Sequence, residues 1–252
     1  MSFMRILLVP VIGPNPLCAQ FPLAALRVRS YGWRRFVRYI AIAAICTLSL
    51  CFWTITRSAD AQTPIQIVAL GDSLTAGYGL PDQDGFVPRL QAALTGKGIA
   101  ATVANAGVSG DTASGGLARL DWSVPDGTQA VIVELGANDM LRGIKPEVTR
   151  AALDKILQRL AARHIAVMVC GMRAAPNLGA DYGKAFESIY PELAAKYGAL
   201  LYPFFLDGVA GNLKLVQQDG LHPTAAGVDV IVGRILPDVL RLVDQIHTQH
   251  PS

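Results

Sequence analysis

Short apolar runs alternate with segments of helical periodicity from residue 65 onwards. Five runs rich in Val, Ile, Leu and Ala are typical of buried parallel strands: Ile65–Leu70, Ala101–Asn105, Ala130–Leu135, Ala166–Cys170 and Ala199–Tyr202. Apolar residues at three- and four-residue spacing predict helices over Phe86–Leu94, Leu117–Leu120, Pro146–Arg163, Phe186–Tyr197 and Val228–Ile246. Because strands and helices alternate, the pattern predicts a three-layer α/β domain whose five-stranded parallel sheet is covered on both faces.

The first quarter of the chain has a different pattern. Trp33–Arg38 is basic, Ile40–Ile55 is almost wholly apolar, and Ala59-Asp60-Ala61 fits an A-x-A cleavage site. This order is typical of a secretory signal peptide. The alternative is an uncleaved anchor, but the apolar run is shorter than the ~20 residues that a membrane-spanning helix needs. We therefore expect a leader over residues 1–61, cleaved near Ala61, and an exported domain over residues 62–252. That domain would be periplasmic or secreted, without a stable membrane anchor.

Charge and cysteine content differ between these two parts. The chain carries a net charge of +3, yet seven of its 22 Lys and Arg residues and one of its 19 Asp and Glu residues precede residue 62. The predicted domain is therefore acidic and lacks the basic surface of a nucleic-acid-binding protein. Of the four cysteines, three (Cys18, Cys46 and Cys51) precede residue 62. Cys170 remains alone in an apolar run, so we expect a buried thiol and no internal disulfide.

A hydroxyl group follows directly after the first predicted strand. Gly71 ends the strand, and Ser73 lies just beyond it, at the edge where ligands bind in open α/β sheets. A serine at this position can be a nucleophile, a helix cap or an ordinary loop residue. A nucleophile also needs a base, a carboxylate that orients the base, and donors for the oxyanion.

The segment Asp219-Gly220-Leu221-His222-Pro223 offers a base and its carboxylate from one loop. Gly220 allows the backbone to turn tightly between Asp219 and His222. The other histidines are weaker candidates, since His164 ends a predicted helix and the last two lie in the polar tail. A lone histidine before a proline is commonly structural. Here the post-strand serine favours a catalytic pair.

Candidate oxyanion donors follow two other predicted strands. Gly110 lies in a glycine-rich loop after the second strand, and Asn138 follows the third. Taken singly, each is an ordinary turn or cap residue. Because both follow strands of one parallel sheet, we expect them to meet Ser73 and His222 at the same edge.

These segments resemble the four sequence blocks of the GDSL/SGNH hydrolases. The blocks are Gly-Asp-Ser-Leu at 71–74, Gly110 within 109–112, Asn138 within 136–139, and the Asp219–Pro223 segment. Details at 76–78 and 138–143 resemble the exported bacterial thioesterase I/lysophospholipase/arylesterase subgroup. The resemblance implies a flavodoxin-like fold, with Ser73 as nucleophile, His222 as base and Asp219 as its orienting carboxylate. It also implies an oxyanion hole formed by the N–H groups of Ser73 and Gly110 with the Asn138 side chain.

The expected function is hydrolysis of acyl or aryl esters, and of acyl thioesters or lysophospholipids, through an acyl-enzyme. This chemistry needs no metal and no cofactor, and its partner is a small-molecule ester. A carbohydrate O-acetylesterase would use the same residues on another alcohol. A non-catalytic phosphate-binding module is disfavoured because Asp72 and Asp111 would repel phosphate and the first strand lacks a Gly-x-Gly-x-x-Gly loop. The sequence does not indicate an oligomeric state.

Three large apolar residues follow the candidate oxyanion residue: Met140, Leu141 and Ile144. They lie in a segment that we expect to be a loop between the third strand and the next helix. Two interpretations remain open. The side chains either pack beneath the loop or line a groove for the acyl chain of the substrate.

Overall fold

A computed structural model describes residues 63–249 of the chain, together with Arg38. The predicted leader and its cleavage site, and Cys18, Cys46 and Cys51, lie outside the described residues. Residues 63–249 belong to one compact unit, Gln62–Ser252. In the described part of the chain, no helix combines the length and the apolar character needed to cross a membrane.

Five parallel strands form one sheet in the order β2-β1-β3-β4-β5. Their bounds are β1 Ile65–Gly71, β2 Ala101–Gly107, β3 Ala130–Glu134, β4 Ala166–Cys170 and β5 Leu200–Tyr202. This is the flavodoxin-like order, so the predicted fold class is confirmed. Strand β1 pairs with β2 on one side and β3 on the other, with Ile67 opposite both Val103 and Ala130. All strands are parallel, but β2 is added on one side of β1 and the later strands are added on the other side. The boundary between β1 and β3 is therefore a topological switch point, where ligands bind in such sheets.

Within residues 63–249, nine α-helices connect and cover the strands. Their bounds are α1 Ser73–Ala76, α2 Phe86–Gly96, α3 Ala113–Ala118, α4 Leu120–Ser123, α5 Ala137–Leu141, α6 Pro146–Ala162, α7 Ala180–Glu187, α8 Ile189–Tyr197 and α9 Ala225–Gln249. Short 3₁₀ turns lie at Asp82–Asp84 and Pro176–Leu178.

The helices pack on both faces of the sheet. Helices α2 and α9 contact each other, and α6 contacts α3 and α8. Every residue of β3 and β4 is buried, which explains why these strands, apart from Glu134 at the end of β3, are continuous apolar runs rather than alternating ones. Helix α6 buries Leu153, Ile156 and Leu160 on one face, as its periodicity predicts.

Two predicted helices have the wrong bounds. The sequence predicts one helix over Phe186–Tyr197, but α7 ends at Glu187 and α8 begins at Ile189. Pro191 has no N–H, so it cannot donate the helical hydrogen bond to the Glu187 carbonyl. The helix predicted over Leu117–Leu120 is two short helices, α3 and α4, that meet at Arg119.

The segment after β3 is also different from the prediction. Met140 and Leu141 lie in the one-turn helix α5 rather than in a loop. Gly136 precedes the helix with φ +117°, and a Cβ there would lie 2.2 Å from the Tyr190 hydroxyl oxygen. Only glycine fits this turn. A single helical turn leaves no periodicity in a sequence, so the pattern could not predict it.

Candidate active site

Ser73 lies at the edge of the sheet, just after β1, and the turn between them requires glycine at position 71. A Cβ on Gly71 would lie 2.0 Å from Thr75 Oγ1, so no larger residue fits there. Asp72 caps α1, since its Oδ1 accepts a hydrogen bond from Leu74 N–H at 3.0 Å. Ser73 is the first residue of α1, and its backbone N–H therefore has no acceptor within the helix.

Three of the predicted site residues form one chain of hydrogen bonds. His222 Nε2 lies 2.8 Å from Ser73 Oγ, and His222 Nδ1 lies 2.6 Å from Asp219 Oδ2. Asp219 can only accept when it is ionised, so the proton lies on Nδ1 and Nε2 accepts the Ser73 hydroxyl proton. The structure thus joins Ser73 to a base 149 positions away in the sequence.

Backbone donors hold the Asp219 carboxylate. Its Oδ1 accepts from Leu221 N–H at 2.9 Å and from His222 N–H at 3.0 Å, across a turn in which Gly220 has φ +73°. The hydrogen bond from the His222 ring and these two backbone bonds lower the pKa of Asp219 to about 2. Asp219 is therefore ionised at neutral pH, although its side chain is partly exposed.

Gln217 ties this loop to the loop that follows α1. Its backbone N–H donates to the His222 carbonyl at 2.7 Å. Its side-chain Nε2 donates to the carbonyls of Tyr78 at 2.8 Å and Pro223 at 3.0 Å. The Tyr78 ring contacts the His222 ring, with 4.6 Å between their centroids. Sequence reasoning missed Gln217 because its partners lie in distant segments.

The candidate oxyanion residues are held by charged neighbours. Asn138 Nδ2 donates to Asp72 Oδ2 at 3.1 Å. A side-chain amide carries two N–H hydrogens, so one is fixed by Asp72 and the other is available to a ligand. Gly110 has φ +81°, and its carbonyl accepts from the Arg142 guanidinium at 2.5 Å.

Two carboxyl groups are buried directly beneath Ser73. Glu134, the last residue of β3, accepts from the Thr75 hydroxyl at 2.8 Å and from Asp72 N–H at 3.3 Å through Oε2. Burial raises the pKa of Asp72 to about 6. Burial, together with the nearby Asp72 charge, raises the pKa of Glu134 well above its usual value. Burial thus favours the neutral form of Glu134, while Asp72, with a pKa of about 6, is largely ionised at neutral pH.

Arg119 binds the ends of β1 and β2 together. Its guanidinium donates to the Gly71 carbonyl at 2.8 Å, to the Ala106 carbonyl at 2.8 Å and to the Asp111 carboxylate at 2.7 Å. The loop that carries Gly110 is fixed next to the Ser73 turn in this way. Sequence reasoning did not identify the structural roles of Arg119 or Glu134. A signal existed for Glu134, because it is a carboxylic acid that ends an otherwise apolar strand.

A cavity of about 420 Å³ opens beside Ser73. Ser73, Asn138 and His222 line it together with mostly apolar residues from α5 and from the loops after β4 and β5. Met140 and Leu141 are part of this lining, but Ile144 is not. The Ile144 carbonyl instead accepts a hydrogen bond from the Tyr182 hydroxyl at 2.8 Å. Gly110 is also outside the lining of this cavity.

The donor set does not suggest a metal centre. Across residues 63–249, no three or more His, Cys, Asp or Glu side chains are grouped closely enough to hold an ion. The carboxylates near Ser73 already accept hydrogen bonds from backbone and side-chain donors.

The site joins a serine hydroxyl, an imidazole and a carboxylate in one series of hydrogen bonds, at the switch point of a flavodoxin-like sheet. This arrangement defines an α/β serine hydrolase. The model of the GDSL-like lipase/acylhydrolase family matches residues 69–230 of this chain. The chain belongs to that family.

Named relatives and solved structures agree with this assignment. Esterase TesA of Pseudomonas aeruginosa is 37% identical over 190 residues, which cover 75% of this chain and 93% of the relative. Thioesterase 1/protease 1/lysophospholipase L1 of Escherichia coli K12 is 38% identical over 168 residues, which cover 66% of this chain and 78% of the relative. The crystal structure of AlinE4, an SGNH-hydrolase family esterase, is 47% identical with a TM-score of 0.61, covering 71% of this chain and 96% of AlinE4.

Proposed function

We propose that this protein is an esterase in which Ser73 is the nucleophile. Ser73 Oγ attacks the carbonyl carbon of the ester, and His222 Nε2 takes the hydroxyl proton and then gives it to the leaving alcohol. Water attacks the resulting acyl-serine with His222 again as base, which releases the acid and restores Ser73. The hydrogen-bonded chain Ser73–His222–Asp219, at 2.8 and 2.6 Å, is the observation that carries this proposal.

The oxyanion would be held by the N–H groups of Ser73 and Gly110 and by the free N–H of Asn138. Ser73 N–H, at the start of α1, has no acceptor within that helix, and Asn138 lines the cavity beside Ser73. The guanidinium of Arg142, which holds the Gly110 carbonyl, supports a fixed orientation of the Gly110 loop. Donors fixed before the reaction stabilise the developing charge without reorganisation.

An acyl chain or an aromatic ring is the substrate group that the cavity favours. Its lining is mostly apolar, and about 420 Å³ accommodates a short to medium acyl chain. We therefore propose acyl and aryl esters as substrates. Acyl thioesters and lysophospholipids are further candidates, because one relative carries both activities in its name.

The two alternatives have less support. An O-acetylated glycan would meet few polar partners in this apolar cavity. A phosphate would be repelled by the carboxylates of Asp72 and Asp219, which lie behind Asn138 and His222. Neither activity is in the names of the relatives above.

We also propose that residues 1–61 form a leader that is removed near Ala61 on export. The compact unit that carries the site begins at Gln62, which supports a boundary there. N-terminal sequencing of the protein from the periplasm and the medium tests this. A mature terminus at or near Gln62 is expected, whereas Met1 on a membrane-bound form would contradict it.

The proposed activity is tested with nitrophenyl esters of two to eight carbons beside an acetylated xylan. We expect hydrolysis of the nitrophenyl esters, more efficient for butyrate and longer acyl chains than for acetate. Ser73→Ala, which removes only the hydroxyl oxygen, should lower kcat by several orders of magnitude. Near-normal turnover by that variant would refute Ser73 as nucleophile, and release of acetate from xylan alone would favour the glycan esterase.

A further inference from the structure

Glu134 is buried beneath the site, yet the proposed reaction does not use it. Its side chain is fully buried at the end of β3. Oε2 has two donors, the Thr75 hydroxyl at 2.8 Å and Asp72 N–H at 3.3 Å. Oε1 is buried too, and none of the described residues offers it an N–H or O–H donor. A buried carboxylate oxygen without a donor is unfavourable, so a proton on this carboxyl is needed.

The acceptor for that proton is the neighbouring carboxylate of Asp72. Both carboxyl groups are fully buried, and Glu134 Oε2 lies 3.3 Å from the Asp72 backbone nitrogen. Burial raises the pKa of both groups. A protonated Glu134 donates to Asp72 through one oxygen, while the other accepts from Thr75 and the Asp72 backbone. Thus Glu134 fixes the Asp72 carboxylate from below without adding a second negative charge.

Asp72 passes this orientation on to two groups of the oxyanion side. Its Oδ1 holds Leu74 N–H at 3.0 Å, which sets the start of α1 and with it the Ser73 backbone N–H. Its Oδ2 holds Asn138 Nδ2 at 3.1 Å, which sets the rotation of the Asn138 amide. If the carboxylate rotates, both donors lose their alignment.

We propose that Glu134 is a positioning residue of the oxyanion hole, acting as a neutral hydrogen-bond donor that orients Asp72 and, through it, the Asn138 amide and the start of α1. The proposal rests on the proposed esterase function. It assigns Glu134 no contact with substrate and no proton transfer in the reaction.

Substitutions at Glu134 separate this role from a general structural one. Glu134→Gln keeps a donor for Asp72 and an acceptor for Thr75, and we expect its kcat to stay within about threefold of wild type. Glu134→Ala loses both, and we expect kcat to fall about tenfold or more, while KM changes less than about threefold. Glu192→Ala, an exposed glutamate of α8 that pairs with Arg150, is the matched control and should have wild-type kcat.

A second variant acts from the Asp72 side and keeps the test valid if Glu134→Ala does not fold. Leu74 N–H and Asn138 Nδ2 bond to different oxygens of Asp72, and Asp72→Asn replaces one of these two acceptors by an NH₂ donor. We expect its kcat to fall about tenfold or more, again with little change in KM.

The closing experiment is a double-mutant cycle with Asn138→Ala, measured with nitrophenyl butyrate. Because part of the effect of both variants passes through Asn138, the loss in kcat that each causes should be smaller once Asn138→Ala is present. Equal losses in the two backgrounds, or equal damage by Glu134→Gln and Glu134→Ala, would overturn the proposal. The esterase proposal is tested separately, by the loss of activity in Ser73→Ala.

Discussion

The two sides of the candidate site are built in opposite ways. The base side is a surface loop, in which the partly exposed Asp219 accepts from two backbone N–H groups and from His222. The oxyanion side rests on the core, where Asp72 and Glu134 are fully buried. The surroundings accordingly shift the carboxyl groups in opposite directions, lowering the pKa of Asp219 to about 2 and raising that of Asp72 to about 6.

This difference follows from what each side does in the proposed reaction. The base side exchanges protons with the leaving group and with water, so a hydrated loop suits it. The oxyanion side must be correctly oriented before charge develops, so rigid buried partners suit it. Burying two carboxyl groups costs stability, and a shared proton limits that cost. Four predictions, with decreasing expected effect, test this division.

Asp219→Asn should produce the largest loss. An amide beside His222 Nδ1 neither stabilises the imidazolium nor enforces the tautomer in which Nε2 accepts from Ser73. We expect kcat to fall by about 10³–10⁴ with KM changed less than about threefold. Steady-state kinetics on nitrophenyl butyrate measure this. A variant within tenfold of wild type would show that the base side does not depend on Asp219.

Asn138→Ala should produce the next largest loss. Removing one oxyanion donor is expected to lower kcat by about 10²–10³. The same kinetic assay measures it, with circular dichroism as a check that α5 and the sheet are intact. A rise in KM with unchanged kcat would instead make Asn138 a residue that binds substrate equally in ground and transition states.

Leu141→Ser should change selectivity rather than overall activity. Leu141 lines the cavity, and each buried methylene of substrate contributes roughly 0.8 kcal/mol, about fourfold in kcat/KM. We expect a smaller gain in kcat/KM from acetate to octanoate esters, with acetate hydrolysis within about twofold of wild type. Val148→Ser, an exposed apolar residue outside this cavity, is the control. Equal losses on all chain lengths would contradict a role in acyl binding.

Glu134→Gln should change stability with a particular pH dependence. Because the pKa of Glu134 is raised on folding, the native protein keeps a proton that the unfolded chain releases above pH 4.5. The contribution of Glu134 to wild-type stability therefore falls as pH rises above that value, and a glutamine avoids this loss. We expect similar Tm values near about pH 4.5 and a higher Tm for the variant at about pH 8. A variant that is less stable at both pH values would show that Glu134 is ionised in the native protein.

Sequence patterns predicted the sheet well because its strands are buried on both faces. A continuous apolar run such as Ala166–Cys170 then indicates a buried parallel strand. The motif residues Ser73, Asp219 and His222 were predicted to meet, because each lies at a strand end or just before the last helix. The structure places them in hydrogen-bonding distance.

Other features depend on contacts that no local pattern records. Glu134 contacts Asp72 across 62 positions, and Gln217 contacts Tyr78 across 139. Ile144 was grouped with Met140 and Leu141 on the assumption of one continuous loop. Because α5 ends at Leu141, Ile144 lies in the turn between α5 and α6 and does not line the cavity.

The most direct test of the account is covalent labelling of the purified protein with a fluorophosphonate. An activated serine displaces fluoride from such a reagent, forming a bond between Oγ and phosphorus while His222 takes the proton. We predict one phosphonyl group per chain in the intact mass, located on the peptide that contains Ser73, and no label on Ser73→Ala. Labelling that persists in Ser73→Ala, or that maps to another residue while Ser73 stays unmodified, would contradict the central claim that Ser73 is the nucleophile.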